Sequence, residues 1–296
     1  MTVKNKNLIL ISDESGDIGP SYLTNASKNY LAVSFLTIQD NFEAIVSIAH
    51  ESSIEVFGHG LKEWKKLKYK NDFDKLNNFI ITFFNKIEGK NLLFLLSVVI
   101  VDKNVIVDKN SICYSRERKK DLKQIKYYTK DSYKFILNRI MPFVNNLHFK
   151  AEHKIIFNVN WYIDNNSKEF IKDLNDTLSA VKKFNINISN PDFISKTDRR
   201  KNIVYSIRLA DILGGIINKI YENYQSYCSS CVANDCFNYS NCNNALMPAW
   251  KIIKKNLSKD LAYKNKTIWQ WRGLLISPPA TRNNNIRFFG KDEFFN

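Results

Sequence analysis

Leu8-Ile9-Leu10-Ile11-Ser12-Asp13-Glu14-Ser15-Gly16-Asp17 is the stretch around which the rest of the chain is organised. Four consecutive large aliphatics read as a strand buried on both faces. The run then breaks into carboxylates and a glycine. Asp13 is expected where the strand runs out into solvent, with Gly16 allowing a sharp turn. A carboxylate at the rim of a central strand is an anchor for a hard divalent cation. The plainer alternative is that Asp13 and Asp17 only start a turn.

Working outward, Tyr30 to Ile38 is a second apolar strand, expected to pair with the first as a hairpin. Phe42, Ile45, Val46 and Ala49 follow at helical spacing up to Val56, and Gly58 and Gly60 end that helix. Phe73, Leu76, Ile80, Phe83, Phe84 and Ile87 mark a second amphipathic helix that Gly89 stops. Leu92 to Val101 is the most apolar strand and ends at Asp102. Beyond a basic loop from Arg116 to Lys130, Tyr133 to Val144 reads as a helix containing Pro142. Lys154 to Asp164 is a strand, and Ser167 caps a helix reaching about Phe184. A short strand at Pro191 to Ile194 and a long helix from Ile203 to Tyr224 complete the pattern.

This order is mixed α/β, a sheet flanked by helices, with the later strands joined by crossover helices and therefore parallel. An RNase H-like sheet has this order once residues from about 40 to 90 are treated as a helical insertion after the second strand. Residues 1–225 are then one RNase H-like domain. Residues 226–296 are a cysteine cluster and a basic C-terminal extension packed on it.

Composition bounds the function. The chain has 296 residues, 44% hydrophobic and 13% aromatic, enough for a sizeable core and unlike a disordered chain. No apolar run approaches the length of a membrane span, and Leu8–Ile11 is too short for a secretory core, so a cytoplasmic protein is expected. The net charge of +15 points to a polyanionic partner, nucleic acid above all. The alternative for part of that charge is the richness in Lys, Asn and Ile that AT-rich coding imposes.

Four acids fall at the ends or rims of these elements. Asp13 and Asp164 end strands, Asp211 lies on the long helix, and Glu63 lies in the insertion. Gathered carboxylates repel and need a cation or shared protons, and Mg²⁺ or Mn²⁺ supplies that charge. Two such ions activate water and stabilise a leaving oxygen in phosphodiester cleavage. Asp211 sits in the apolar run Ile207 to Ile217, with Gly214 and Gly215 one turn beyond on its face. The glycine pair implies close packing against the sheet, which brings Asp211 to the rim. The alternative is a salt bridge to Arg208 or Lys219. Asp102 is a rival strand-end acid, but an RNase H-like third strand lies farther from the rim.

Ile11-Ser12-Asp13-Glu14-Ser15-Gly16-Asp17, Glu63-Trp64-Lys65, Trp161-Tyr162-Ile163-Asp164 and Arg208-Leu209-Ala210-Asp211-Ile212-Leu213-Gly214-Gly215 occur in this order. They resemble the bacterial family catalogued as domain of unknown function 3800, whose members look like RNase H-like, integrase-like nucleases. The resemblance runs from about Leu8 to Ile220 and departs at Arg208, where the family often has Gln. It implies that Asp13, Glu63, Asp164 and Asp211 are metal ligands for Mg²⁺ or Mn²⁺ and that Lys65 contacts phosphate. It also implies a role in defence against mobile elements. Glu14 and Asp17 are left as supporting or turn residues.

Lys62, Lys65, Lys66 and Lys68 surround Glu63 and Trp64. One reading is a phosphate-lined groove in which Trp64 stacks on a base. The other is a solvated helix face with Trp64 as a core anchor, which the residue pattern alone favours. His50, His59, His148 and His153 show no metal spacing. Cys228, Cys231, Cys236 and Cys242 fall within one short segment, for which tetrahedral Zn²⁺ is the best fit and an iron–sulfur cluster the second. A four-thiolate site has no open position, so it is expected to be a structural staple. Two functions follow: a Mg²⁺- or Mn²⁺-dependent nuclease, and a non-catalytic nucleic-acid-binding or regulatory protein on the same fold.

Overall fold

The computed structural model describes residues 4–15, 29–102, 155–164, 186–230, 245–257 and 274–277. β1 (Lys4–Ser15) is the central strand of a seven-stranded mixed sheet. β2 (Asn29–Ile38) lies antiparallel to it on one side, and β4 (Ile155–Asp164) lies parallel on the other. Beyond β2 comes β3 (Leu95–Asp102), antiparallel to β2. β5 (Ile186–Ile188) and β6 (Asp192–Ile194) both run parallel to β4. β7 (Leu274–Ser277) lies parallel to β3 at the far edge, giving the order β5-β4-β1-β2-β3-β7.

The antiparallel first pair and the parallel later strands agree with the sequence reading. β1 is buried on both faces as expected: Leu8, Ile9, Leu10 and Ile11 are all 6% exposed or less. One such side chain contributes about 1.5–3 kcal/mol when removed from water. The strand's end differs from expectation. Asp13 does not stand where β1 gives out, because pairing with β2 continues through Asp13↔Val33 and Ser15↔Leu31. Asp13 is therefore an internal strand residue, only 7% exposed.

Helices α1 (Gln39–Phe57), α2 (Phe73–Gly89), α3 (Lys201–Ser230) and α4 (Met247–Asn256) share one core with one face of the sheet. That face carries Ile9 and Ile11 of β1, Leu31, Val33 and Phe35 of β2, and Leu96, Val98 and Ile100 of β3. α1 begins directly after β2 and ends at Gly58, whose left-handed φ of 74° lets its N–H reach the Ile54 carbonyl. α2 ends at Gly89, as the sequence predicts. The left-handed residue after it is Asn91, with φ 50°. α4 has no side-chain cap of its own. Buried Asn77 of α2 substitutes, accepting from the Ala249 N–H and donating to the Ala245 carbonyl. This contact and β7 place residues 245–257 on the same core and residues 274–277 on the same sheet.

Among the described residues, no helix is long and apolar enough to cross a membrane. The expected helices at 133–144 and 167–184, the basic loop at 116–130, and Asp17, Cys231, Cys236 and Cys242 lie outside the described residues. Cys228 falls on the backbone of α3.

Candidate functional site

Strand register and helix phase bring three acids to one end of the sheet. β1 and β4 run parallel with Ile11↔Tyr162 and Ser12↔Ile163 in register. Asp13 and Asp164 are the next residues on each strand, so alternation puts both on the face covered by α3. Asp102 ends β3, which β2 separates from β1, so it stands two strands away from Asp13. On the opposite face, the Trp161 indole N–H donates to Ser12 Oγ at 2.9 Å and ties β4 to β1.

α3 lies tightly against this end. A Cβ on Gly214 would stand 3.3 Å from Val33 Cγ2 and 3.4 Å from Ser15 Cβ. Asp211 precedes it by one turn and so faces the end of β1. The glycine pair does not serve the sheet alone. Gly215 faces Trp64, whose indole atoms occupy the space a Cβ would need. Arg208 donates to the Leu61 carbonyl at 3.2 Å and lies beside the Tyr205 ring, bracing the same segment.

That segment supplies the fourth acid. Glu63 precedes a short 3₁₀ helix, Trp64–Lys66. The backbone N–H of Trp64 donates to Asp211 Oδ2 at 2.7 Å, fixing Glu63 beside α3. Trp64 is partly buried and packed on the core. The anchor reading of Trp64 therefore describes its position, with part of the indole committed to Gly215. His59 lies in the aromatic group of Phe57 and Tyr69, and its Nδ1 is 2.9 Å from the Gly60 carbonyl.

The electrostatics follow from this crowding. Burial, and then the charges of Asp211 and Asp164, push the Asp13 carboxyl well above the usual carboxylate range. The Glu14 N–H, 2.8 Å from Asp13 Oδ1, opposes that rise. Asp211 is pushed up to about 6, chiefly by burial and further by Glu63 and Asp164, while the Trp64 N–H and Lys196 pull it down. Glu63 behaves oppositely. Burial favours its neutral form, but Lys196 and Lys66 outweigh it and hold the carboxyl below its ordinary value. Lys196 Nζ is 3.0 Å from Glu63 Oε2, Lys66 Nζ 3.2 Å from Oε1, and Lys65 Nζ 3.6 Å from Oε2.

The site thus has buried acids behind and ammoniums in front. An oxygen-only donor set in which burial and neighbouring carboxylates raise Asp13 and Asp211 fits a hard divalent cation in its chemistry. As placed, though, the described residues contain no group of three or more His, Cys, Asp or Glu side chains set to hold one ion. Glu63 is turned to its lysines.

The sequence pattern does not single out Lys196. It lies two residues past the end of β6, and Ile194 of β6 pairs with Asp164. Its signal was positional: a cation in the loop leaving the strand end beside an expected acid.

The fold and site define an α/β protein with a mixed sheet flanked by helices, whose central strands carry buried Asp13 and half-buried Asp164 at one end. No family model and no curated protein matches the chain, so the family resemblance rests on the four motifs alone.

Proposed function

We propose that the protein is a divalent-metal-dependent nuclease of RNase H-like architecture. One observation carries this reading. Four acids distant in sequence, Asp13, Glu63, Asp164 and Asp211, come into one electrostatic neighbourhood at the end of β1 and β4. A sheet that needed only packing there would gain by apolar residues, because a buried uncompensated carboxylate is costly. The strand order β3-β2-β1-β4-β5, with β2 antiparallel between β1 and β3, supports the RNase H-like assignment.

In this reading Asp13, Asp164, Asp211 and Glu63 hold Mg²⁺ or Mn²⁺. Bound ions would supply an activated water and charge for the leaving oxygen of a phosphodiester. Asp13 is held by β1 and the Glu14 N–H, and Asp211 by the Trp64 N–H, so both oxygens are oriented before substrate arrives. Lys65 and Lys66 are exposed beside Glu63, where a phosphate would meet them. The net charge of +15 supports a polyanionic substrate, DNA or RNA. Zn²⁺ at the four cysteines remains part of this proposal as a structural staple.

A non-catalytic nucleic-acid-binding protein is the second reading, favoured by the engagement of Glu63 with three lysines. The deciding experiment incubates purified protein with labelled DNA and RNA, single- and double-stranded, in Mn²⁺ and in Mg²⁺. Cleavage that is lost in Asp13→Asn while binding is kept supports the nuclease. Absence of cleavage, with no Mn²⁺ bound by calorimetry, rejects it. Retained nucleic-acid binding would then support the second reading.

A further inference from the structure

We infer that Lys196 is a phosphate-binding residue of this site, gripping the nucleic-acid backbone alongside Lys65 and Lys66. The inference rests on the nucleic-acid reading above and adds a phosphate contact from a second segment of the chain. Lys65 and Lys66 belong to the 3₁₀ turn after Glu63, whereas Lys196 comes from the turn between β6 and α3. The three ammoniums converge on one carboxylate from two separate segments.

Charge and exposure argue for an external ligand. The Glu63 side chain is 9% exposed, while those of Lys65, Lys66 and Lys196 are 68%, 64% and 44% exposed. Lys196 also feels the charge of Asp164, yet each of the three lysines keeps a face toward solvent. An ammonium carries three N–H donors. Lys196 uses one toward Glu63, and its exposed side leaves room for a phosphate oxygen. A lysine serving only as a counter-ion for Glu63 would be redundant with Lys66.

The turn that presents Lys196 is braced. The Asp198 N–H donates to the Ser195 carbonyl at 3.0 Å, and Ser195 Oγ lies 3.2 Å from Thr197 Oγ1. Arg200 then clamps the turn, binding Asp198 through its backbone N–H and guanidinium and reaching Asp192 of β6. The ammonium is therefore delivered beside Asp164 and Glu63 by a pre-formed support, which lowers the ordering cost of binding.

The test is binding without cleavage. Fluorescence anisotropy with labelled DNA and RNA in EDTA is run over a salt series for wild type, Lys196→Ala, Lys196→Arg and Lys90→Ala. Lys90 follows α2 at the opposite end of the sheet and serves as the control. Loss of one phosphate contact should reduce the slope of log K against log salt by about 0.7–0.9 in Lys196→Ala. Affinity near 0.1 M salt should fall about five- to tenfold, equally for all sequences. Lys196→Arg should keep the slope, and Lys90→Ala should leave it unchanged. If wild type binds and Lys196→Ala keeps the same slope as Lys90→Ala, this inference is overturned and the nucleic-acid reading stands. If wild type binds neither DNA nor RNA, both fall together.

Discussion

The backbone N–H of Trp64 donates to Asp211 Oδ2 at 2.7 Å, joining residues 147 positions apart in sequence. This bond can form only because Gly215 leaves space for the indole of the same tryptophan. Two substitutions one residue apart should therefore behave differently. Gly215→Ala would place a methyl inside the rigid indole, and overpacking of this kind costs about 1–3 kcal/mol. The helix-propensity gain of about 1 kcal/mol from replacing glycine offsets only part of that. Gly214→Ala meets Val33 and Ser15 at 3.3 and 3.4 Å, a contact that a few tenths of an ångström relieves. Thermal unfolding should show Gly215→Ala clearly destabilised and Gly214→Ala near wild type. A shifted tryptophan emission should accompany only the former. Equal stability of the two variants would contradict the packing described.

The raised carboxyls make stability depend on pH with a defined sign. The folded-state Asp211 titrates near about 6, against 3.8 for the ordinary carboxyl. Between those values the folded protein keeps a proton that the unfolded chain has released, so stability falls as pH rises through the interval. The groups acting on Asp211 are Glu63, Asp164 and Lys196 around it and the Trp64 N–H. The penalty is absent below the lower value and complete above the upper one, at most about 3 kcal/mol. Asp211→Asn keeps an oxygen for the Trp64 N–H and removes the charge. In EDTA it should unfold at a higher temperature than wild type above pH 6, with the difference vanishing toward pH 4. A variant less stable than wild type at pH 7.5 would oppose this account.

Divalent ions should reverse that penalty. If the acids bind Mn²⁺ in the folded state only, Mn²⁺ at about 100 times its Kd stabilises by about 2.7 kcal/mol. The shift in melting temperature should be large at pH 7.5 and small at pH 5, where Asp211 holds its proton. Asp13→Asn should lose most of it. The same shift in wild type and Asp13→Asn would place the ion elsewhere.

Much of this was legible from local pattern. Leu8–Ile11 announced a doubly buried strand because four aliphatics leave no face for water, and residues around Asp211 announced a helix rim through phase alone. Asp164 followed once β4 was taken as parallel to β1, since parallel strands deliver their C-terminal ends to one side. Other features depend on distant partners and leave little local trace. Asp13 was misplaced at the strand's end because only pairing with Leu31 and Val33 extends β1 to Ser15. Gly215 was assigned to the sheet because nothing in residues 207–217 mentions Trp64. β7 is only four residues long. It borrows its stability from β3, so the Leu274–Ser277 run passed as part of a basic extension. The ligand role of Glu63 comes from motif resemblance, because its lysine-rich surroundings read locally as a solvated surface.

Those surroundings give Glu63 the most discriminating substitution. Glu63→Gln keeps the shape of the side chain and releases three ammoniums from their common partner. The pairs involve exposed lysines, and such pairs contribute about 0–1 kcal/mol, so the fold should persist. As a proposed ion ligand, Glu63 is needed for cleavage. As the neutraliser of the mouth, it opposes metal-free binding of a polyanion. Cleavage in Mn²⁺ should therefore drop by orders of magnitude, while affinity for DNA or RNA in EDTA rises several-fold at low salt. The salt dependence of that binding should steepen as the freed lysines meet phosphates. A variant that weakens both together would mean that Glu63 merely holds the 3₁₀ turn in place, since a structural loss gives no reason for tighter binding.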